Sequence, residues 1–287
     1  MAADNYIIIT HTAGTDPFWP VVQRGAEDAA KDMGVSIDYR HPANGDLVEM
    51  ARIVEAAIAQ DPDGIVVSIP DASVLGDSIT DAVDAGIPVV SINSGSDDAE
   101  RLGTLMHIGQ PEYDAGLGGG KKAKEAGVTK HVCLSQEAFN VALEKRCTGY
   151  ADGLGQAANI IDVTNDPAEI KARTAATLSS DSSIDGVLAL GPHVCEAALE
   201  AMKELGVNGT LHVGCFDLSG KVVKAIQDGD VHFAIDQQQY LQGYMPVVVL
   251  KLYNAYGLLP GGDILSGPGF VTKENASQVL ELAGTIR

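Results

Sequence analysis

Short apolar segments alternate with amphipathic helical segments along the whole 287-residue chain. Apolar runs separated by helices are typical of parallel strands whose sheets are covered on both faces. Glycines end several of the predicted helices, among them Gly34, Gly86, Gly127 and Gly206. The predicted strands span residues 6–10, 36–39, 64–69, 88–92, 106–108, 131–134, 159–163, 186–190, 212–216 and 232–236. This alternation predicts an α/β fold.

Ten strands exceed one ordinary sheet, and the strand–helix series restarts near residues 110–130. We therefore predict two doubly wound parallel-sheet lobes joined by a multi-strand hinge, with a ligand cleft between them. One lobe is expected to contain residues 1–109 and 240–268, and the other residues 110–239 and 269–287.

The segment T-H-T-A-G-T-D-P-F-W follows the first strand and opens a helix that runs to about Met33. Asp16 suits the cap of that helix, and Pro17 suits its first position. Phe18 and Trp19 then lie at the carboxyl edge of the sheet, where ligands bind in open α/β folds. Aromatic faces beside a carboxylate suit a polyhydroxylated ligand, because the rings cover C–H groups and the carboxylate accepts hydroxyl hydrogens.

Charge and hydropathy exclude several classes of protein. The net charge is −20, from 39 acidic and 19 basic residues, and such a surface repels nucleic acid and anionic membranes. No segment approaches the roughly 20 apolar residues of a membrane-spanning helix. A long helix over 241–256 and the Gly/Pro-rich stretch 259–269 are expected to be crossing chain. No signal peptide is visible, and residues 1–4 resemble a start methionine before a mature N-terminus.

Motifs for catalysis are absent from the sequence. The run G-L-G-G-G-K-K at 116–122 resembles a phosphate loop, but it lacks the Ser or Thr after the lysine and lies inside a helical pattern. We predict instead that these small residues pack closely against the sheet. No dinucleotide fingerprint, nucleophile elbow, zinc-protease motif or calcium loop occurs. The sequence thus predicts a binding protein rather than an enzyme, with no metal and no cofactor.

Four cysteines are present, and none forms a C-x-x-C motif. Cys133 lies in a predicted strand and Cys147 in the next helix, so the two can meet. Four buried thiols are one interpretation. In an exported protein, a disulfide between Cys133 and Cys147 is favoured, ahead of one between Cys195 and Cys215.

Six short motifs occur in a characteristic order. They are D-P-F-W (16–19), A-G-I-P-V-V-S-I-N (85–93), N-V-A-L-E-K-R-C-T-G-Y (140–150), G-C-F-D (214–217), I-D-Q (235–237) and G-P-G-F-V-T-K-E-N (267–275). With them the whole chain resembles the periplasmic binding proteins of the ribose-binding type, which are the type I solute receptors of ABC sugar importers. The resemblance implies a receptor that binds a sugar between two closing lobes and delivers it to a membrane permease.

The resemblance also implies which residues bind the sugar. Eight positions match the family's ligand-binding motifs or adjoin them: Asp16, Phe18, Trp19, Asn93, Asn140, Arg146, Asp217 and Gln237. In the family, the two rings of the D-P-F-W run sandwich the sugar. Glu137 is a weaker candidate from the loop before Arg146, and His11 and His193 fall at predicted strand ends.

Departures from the ribose-type pattern bear on the ligand. Asn93-Ser94 stands in place of an Asp-Arg pair, Gly191-Pro192-His193 replaces an asparagine, and Asp166-Pro167 stands where the family can place a third aromatic. A single remaining arginine facing Asp16 and Asp217 disfavours a sugar acid and favours a neutral monosaccharide or sugar alcohol. We expect a monomeric periplasmic or extracytoplasmic receptor. The alternatives are the effector-sensing core of a transcriptional regulator, a receptor for a quorum signal, and an enzyme on a similar scaffold.

Overall fold

A computed structural model describes residues 3–12, 16–43 and 45–287. Within these residues the chain forms twelve strands and ten α-helices. The strands are β1 (Asn5–Ile9), β2 (Ser36–Arg40), β3 (Gly64–Ser68), β4 (Val89–Ile92), β5 (His107–Gly109), β6 (His131–Ser135), β7 (Ile160–Asp162), β8 (Gly186–Ala189), β9 (His212–Phe216), β10 (Phe233–Asp236), β11 (Ile264–Leu265) and β12 (Gly269–Val271). The helices are α1 (Phe18–Met33), α2 (Leu47–Ile58), α3 (Ala72–Asp84), α4 (Ser96–Ala99), α5 (Glu112–Glu125), α6 (Val141–Leu154), α7 (Pro167–Ser180), α8 (Pro192–Leu205), α9 (Gly220–Asp228) and α10 (Gln239–Tyr256).

The strands form two six-stranded sheets with the same arrangement. Their spatial orders are β11-β5-β4-β3-β1-β2 and β12-β10-β9-β8-β6-β7. Neighbouring strands are parallel except β10 and β12, which pair in antiparallel fashion. We call the first sheet with its helices the N-lobe and the second the C-lobe. The predicted α/β fold with two parallel-sheet lobes is confirmed, and each predicted strand is present to within one residue at either end.

Each sheet is buried on both faces, as a doubly wound fold requires. In β1, Tyr6 and Ile8 belong to one apolar cluster while Ile7 and Ile9 belong to another. Alternating side chains of one strand therefore pack into two separate cores. The predicted crossing helix is α10, which packs on α1 in the N-lobe. The following Gly/Pro-rich stretch adds β11 to the first sheet and β12 to the second, two short strands that the sequence did not predict.

Helix ends follow the local chemistry of the sequence. Gly34, Gly86, Gly127 and Gly206, which were predicted to end helices, all have positive φ just past a helix. The start of α1 differs by one residue from the prediction. Pro17 is the flanking residue rather than the first helical one, and the Asp16 carboxylate accepts a hydrogen bond of 2.9 Å from the Phe18 N–H.

The glycine run lies in α5, and half of its glycines face another helix. A Cβ atom at Gly116 would lie 2.1 Å from the Arg146 carbonyl oxygen, and one at Gly120 would lie 2.0 Å from the Tyr150 carbonyl oxygen. Both carbonyls belong to α6. Gly118, beside β12, and Gly119, beside β10, fit the prediction of packing against the sheet. The prediction therefore holds for these two glycines, whereas at Gly116 and Gly120 the absence of side chains lets two helix backbones approach closely.

All four cysteines are paired in the structure. Cys133 in β6 is bonded to Cys147 in α6, and Cys195 in α8 is bonded to Cys215 in β9. The Cα atoms are 5.8 Å apart in the first pair and 6.0 Å apart in the second. Separately, no helix among the described residues combines the length and the apolar character that crossing a bilayer requires.

Candidate functional site

A cleft between the lobes lies at the carboxyl ends of strands from both sheets. Its walls contain all eight of the principal predicted residues together with His11 and Glu137. The full lining is His11, Asp16, Phe18, Trp19, Asn93, Gln136, Glu137, Asn140, Leu143, Arg146, Leu190, Gly191, Asp217 and Gln237. His193 is not part of this lining. Its Nδ1 atom lies 3.9 Å from Asp16 Oδ1, and its Nε2 atom is hydrogen-bonded to Asn165 Oδ1.

Three rings from the N-lobe form one apolar wall of the cleft. Phe18 and Trp19 are almost fully buried, with ring centroids 4.9 Å apart and ring planes at 76°. The His11 imidazole meets Trp19 edge-on at 4.9 Å and contacts Ser68 Oγ through Nδ1 at 2.8 Å. Because Phe18 and Trp19 pack edge-to-face against each other, both lie on one side of the cleft. They do not form the two faces of a sandwich, which the family resemblance implied.

Asn93 and Asp217 enter the cleft from opposite lobes at its hinge end, and Gln237 joins them. Gln237 Nε2 donates to Asp217 Oδ1 at 2.9 Å, and its Oε1 accepts a bond of 3.4 Å from Asn93 Nδ2. Gln242 Nε2 also donates to Gln237 Oε1 at 2.9 Å. Gln237 lies just after β10, where the chain passes to α10, so the hinge is hydrogen-bonded directly to polar groups of both walls.

Arg146 is the guanidinium of the cleft, and Glu112 holds it firmly. Arg146 Nε and Nη2 donate to the two Glu112 carboxylate oxygens at 2.6 and 2.9 Å, and the guanidinium carbon lies 4.5 Å from the centre of the Phe216 ring. Both members of the pair are buried. Burial alone would lower the pKa of Arg146, but the charge and hydrogen bonds of Glu112 raise it.

Glu137 and Asn140 contact the N-lobe across the cleft. Asn140 caps α6 by accepting a bond from the Ala142 N–H, and its Nδ2 donates to Glu137 Oε2 at 2.8 Å. His11 Nε2 lies 3.4 Å from the same Glu137 oxygen. Burial opposes ionisation of Glu137, but His11 and Asn140 outweigh it and lower the pKa of the carboxyl.

At two other carboxyls, neighbouring groups do not outweigh the effect of burial on the pKa. Burial raises the pKa of Asp217 to about 8, although Arg146 and Gln237 act in the opposite direction. Burial also raises the pKa of Asp16, against the effects of His193 and the Phe18 N–H. These carboxyls, from opposite lobes, are therefore the most readily stabilised by donors that a ligand would bring.

The lobes also touch outside the cleft. The Val141 N–H, in the first turn of α6, donates to the Pro70 carbonyl oxygen at 3.1 Å. Lys145, one turn later in α6, forms an ion pair with Asp97. These contacts join α6 of the C-lobe to two loops of the N-lobe, so the structure represents a closed arrangement of the lobes.

Sequence reasoning missed five residues that shape the site. Gln136 directly follows β6, so the strand-end rule could have found it, and its Oε1 has no hydrogen-bond partner among the described residues. Leu143 and Leu190 resemble ordinary core residues, and Gly191 was noted only as a departure from the family. Glu112 had no signal, because its importance comes from Arg146, 34 positions away.

Residues 6–255 match the family model of the periplasmic binding protein domain, so the chain belongs to that family. Members of this family and the proteins similar to this chain are solute-binding receptors rather than enzymes. The resemblance to type I sugar-binding proteins of ABC importers is thereby confirmed.

Three individual proteins illustrate this similarity. A xylose/arabinose-binding protein of Sulfolobus acidocaldarius is 28% identical, over 96% of this chain and 72% of its own length. A xylitol-binding protein of Mycolicibacterium smegmatis is 25% identical, over 92% and 76% of the two chains. Among solved structures, a carbohydrate transporter of Acidothermus cellulolyticus in complex with myo-inositol is 34% identical, with a TM-score of 0.94 and 98% of each chain covered.

Proposed function

We propose that this protein is an extracytoplasmic receptor that binds a neutral monosaccharide or sugar alcohol between its lobes and delivers it to an ABC-type permease. The observation that carries the proposal is the composition of the cleft wall. Uncompensated carboxyls face a guanidinium that is already paired, beside a wall of aromatic rings. Such a site matches hydroxyl groups and C–H faces better than it matches an anion.

The residue roles follow from the donor and acceptor chemistry of the cleft. Asp16, Asp217 and Glu137 would accept hydroxyl hydrogens, while the Arg146 donors left free by Glu112 would bind ligand oxygens. Asn93, Asn140 and Gln237 carry amides that can both donate and accept.

The similar proteins support the same ligand class. Their names refer to myo-inositol, xylose or arabinose, and xylitol, which are all neutral and polyhydroxylated. The family assignment supports the location outside the cytoplasm and the delivery to a permease. We retain the lobe boundaries at 109/110, 239/240 and 268/269 as part of this proposal. Their support is that β5 ends directly before the first boundary, α10 begins at the second, and β11 and β12, which belong to different sheets, flank the third.

A thermal-shift screen of refolded protein tests the proposal. The panel contains pentoses, hexoses, deoxysugars, inositols, sugar alcohols and sugar acids, after denaturation and refolding to remove retained ligand. A ligand present at about 100 times its dissociation constant adds roughly 2.7 kcal/mol to the free energy of unfolding, which gives a clear rise in melting temperature. We expect one group of related neutral compounds to stabilise the protein. A panel without any neutral hit would contradict the proposal.

A further inference from the structure

Arg146 and Asp217 both line the cleft, and no ion pair joins them. Among the residues that the structure describes, the hydrogen bonds of the Arg146 side chain go to Glu112, and Asp217 receives its side-chain hydrogen bond from Gln237. Arg146 and Asp217 are each about 3% exposed, and their charges interact. Above its raised pKa, Asp217 carries a charge that attracts a guanidinium strongly where water is excluded, so something must hold the two groups apart.

The geometry around Arg146 identifies Glu112 as that restraint. Its carboxylate binds Nε and Nη2 together in the fork geometry that fixes a guanidinium in one plane, and Phe216 supports the flat face of that plane. Glu112 is itself fixed, because Gln110 Nε2 donates to its Oε2 atom at 2.9 Å. Gln110 directly follows β5, where the chain leaves the N-lobe. Glu112 therefore connects Arg146 to Gln110 at the hinge.

We propose that Glu112 is a positioning residue that keeps Arg146 from pairing with Asp217, so that both remain open to hydroxyl groups of the ligand. This inference rests on the proposed function for its consequence, but the restraint itself is a property of the free protein. Without the Glu112 charge, Arg146 would turn towards Asp217, and each group would satisfy the other instead of a ligand. Glu137 also faces Arg146, but His11 and Asn140 already engage its carboxylate.

A double-mutant cycle separates this role from a merely structural one. The variants are Glu112→Gln, Asp217→Asn and the double variant, and Glu125→Gln at the exposed end of the same helix is the matched control. Titration calorimetry with myo-inositol, xylitol and D-xylose measures affinity. We expect Glu112→Gln to weaken binding about tenfold or more in the wild-type background, and to cost little once Asp217 is an asparagine. Equal losses in both backgrounds would overturn the proposal.

A measurement without any ligand keeps the inference independent of the proposed function. Carboxyl-carbon NMR follows the titration of Asp217 in the free wild-type protein and in Glu112→Gln, with Glu112→Asp as a variant that keeps the charge. The charges of Glu112 and Asp16 also raise the pKa of Asp217, so loss of the Glu112 charge lowers the midpoint directly as well as through Arg146. We expect the midpoint to fall by about one pH unit or more in Glu112→Gln, and to fall clearly less when Arg146→Met removes the guanidinium from both proteins. It should move less in Glu112→Asp. An equal fall with and without the Arg146 guanidinium, or no fall at all, would refute the restraint, whereas absence of binding by the wild type would refute only the proposed function.

Discussion

Asn93 and Asp217 occupy equivalent positions in the two lobes. Asn93 follows β4 and Asp217 follows β9, and each strand is the fourth of its lobe in chain order. Both residues are in the left-handed region, with φ of 62° and 64°. Asn and Asp tolerate this conformation better than other residues with side chains, and strained backbone is common at binding sites. The duplicated fold thus places one polar side chain from each lobe beside Gln237.

Replacing Asp217 with asparagine should weaken ligand binding while leaving the fold intact. Asparagine tolerates the left-handed backbone and keeps an acceptor for Gln237, but it loses the charge that attracts hydroxyl donors. We expect the dissociation constant to rise about tenfold or more, measured by calorimetry. Asp61→Asn is the matched control. Asp61 also has positive φ, at 50°, but it is exposed and does not line the cleft. Equal affinity of the two variants would contradict the role of Asp217.

Ligand affinity should rise with pH and level off near pH 8. Burial raises the pKa of Asp217 to about 8 in the free protein, whereas hydroxyl donors favour its ionised form. Binding below this pKa therefore releases a proton, and affinity should increase by at most about tenfold per pH unit as the pH approaches 8. The stability of the free protein changes in the opposite direction. Its folded-state pKa lies above the ordinary value of 3.8, so this carboxyl's contribution is lost as the pH rises towards 8.

Calorimetry between pH 6 and pH 9 in two buffers of different ionisation enthalpy would measure both the affinity and the proton release. Asp217→Asn should flatten the profile. A slope that persists in this variant would assign the effect to another group, of which Asp16 is the first to consider because burial also raises its pKa.

Trp19 should report ligand binding by fluorescence. It is the single tryptophan of the chain and lies in the wall of the cleft, beside His11 and Phe18. A ligand in the cleft would change the polarity around the indole, so its emission should change saturably with ligand concentration. The same titration on Asp217→Asn should be displaced to higher concentration. Unchanged emission while calorimetry detects binding would place the ligand elsewhere.

The close approach of α5 and α6 should make Gly149 intolerant of a side chain. A Cβ atom there would lie 2.1 Å from the Tyr113 carbonyl oxygen, so the helices would have to separate. We expect Gly149→Ala to lower the free energy of unfolding by about 1–3 kcal/mol, measured with urea. Gly220→Ala, at a position with open space around it, is the control and should change stability by less than about 0.5 kcal/mol. Equal stability of the two variants would show that this interface can relax.

The fold was largely predictable because apolar strands and amphipathic helices alternate over long stretches of the sequence. The ten longer strands are visible as apolar runs between helices, whereas β11 and β12 have two and three residues and lie in or beside a Gly/Pro-rich stretch. Segments so short show no periodicity, and only their pairing with β5 and β10 defines them. The first residue of α1 was misplaced by one position, which is the usual uncertainty at a helix end.

The site was predictable where a side chain follows a strand and matches a family motif, as Asp217 and Asn93 do. The arrangement of side chains within the cleft was less accessible. The sequence cannot show that Phe18 and Trp19 pack against each other, or that Glu112 occupies Arg146, because both depend on tertiary contacts. The role of each cleft residue in binding remains a prediction that the variants above test.

The most direct test of the central claim compares matched neutral and acidic ligands by titration calorimetry on refolded wild-type protein. Suitable pairs are xylitol with xylonate and D-galactose with D-galacturonate, supplemented by myo-inositol. The account predicts saturable, one-to-one binding of at least one neutral compound, and binding of an acidic counterpart at least about a hundredfold weaker, a difference of roughly 2.7 kcal/mol. Preferential binding of the acids, or no binding of any neutral compound, would contradict it.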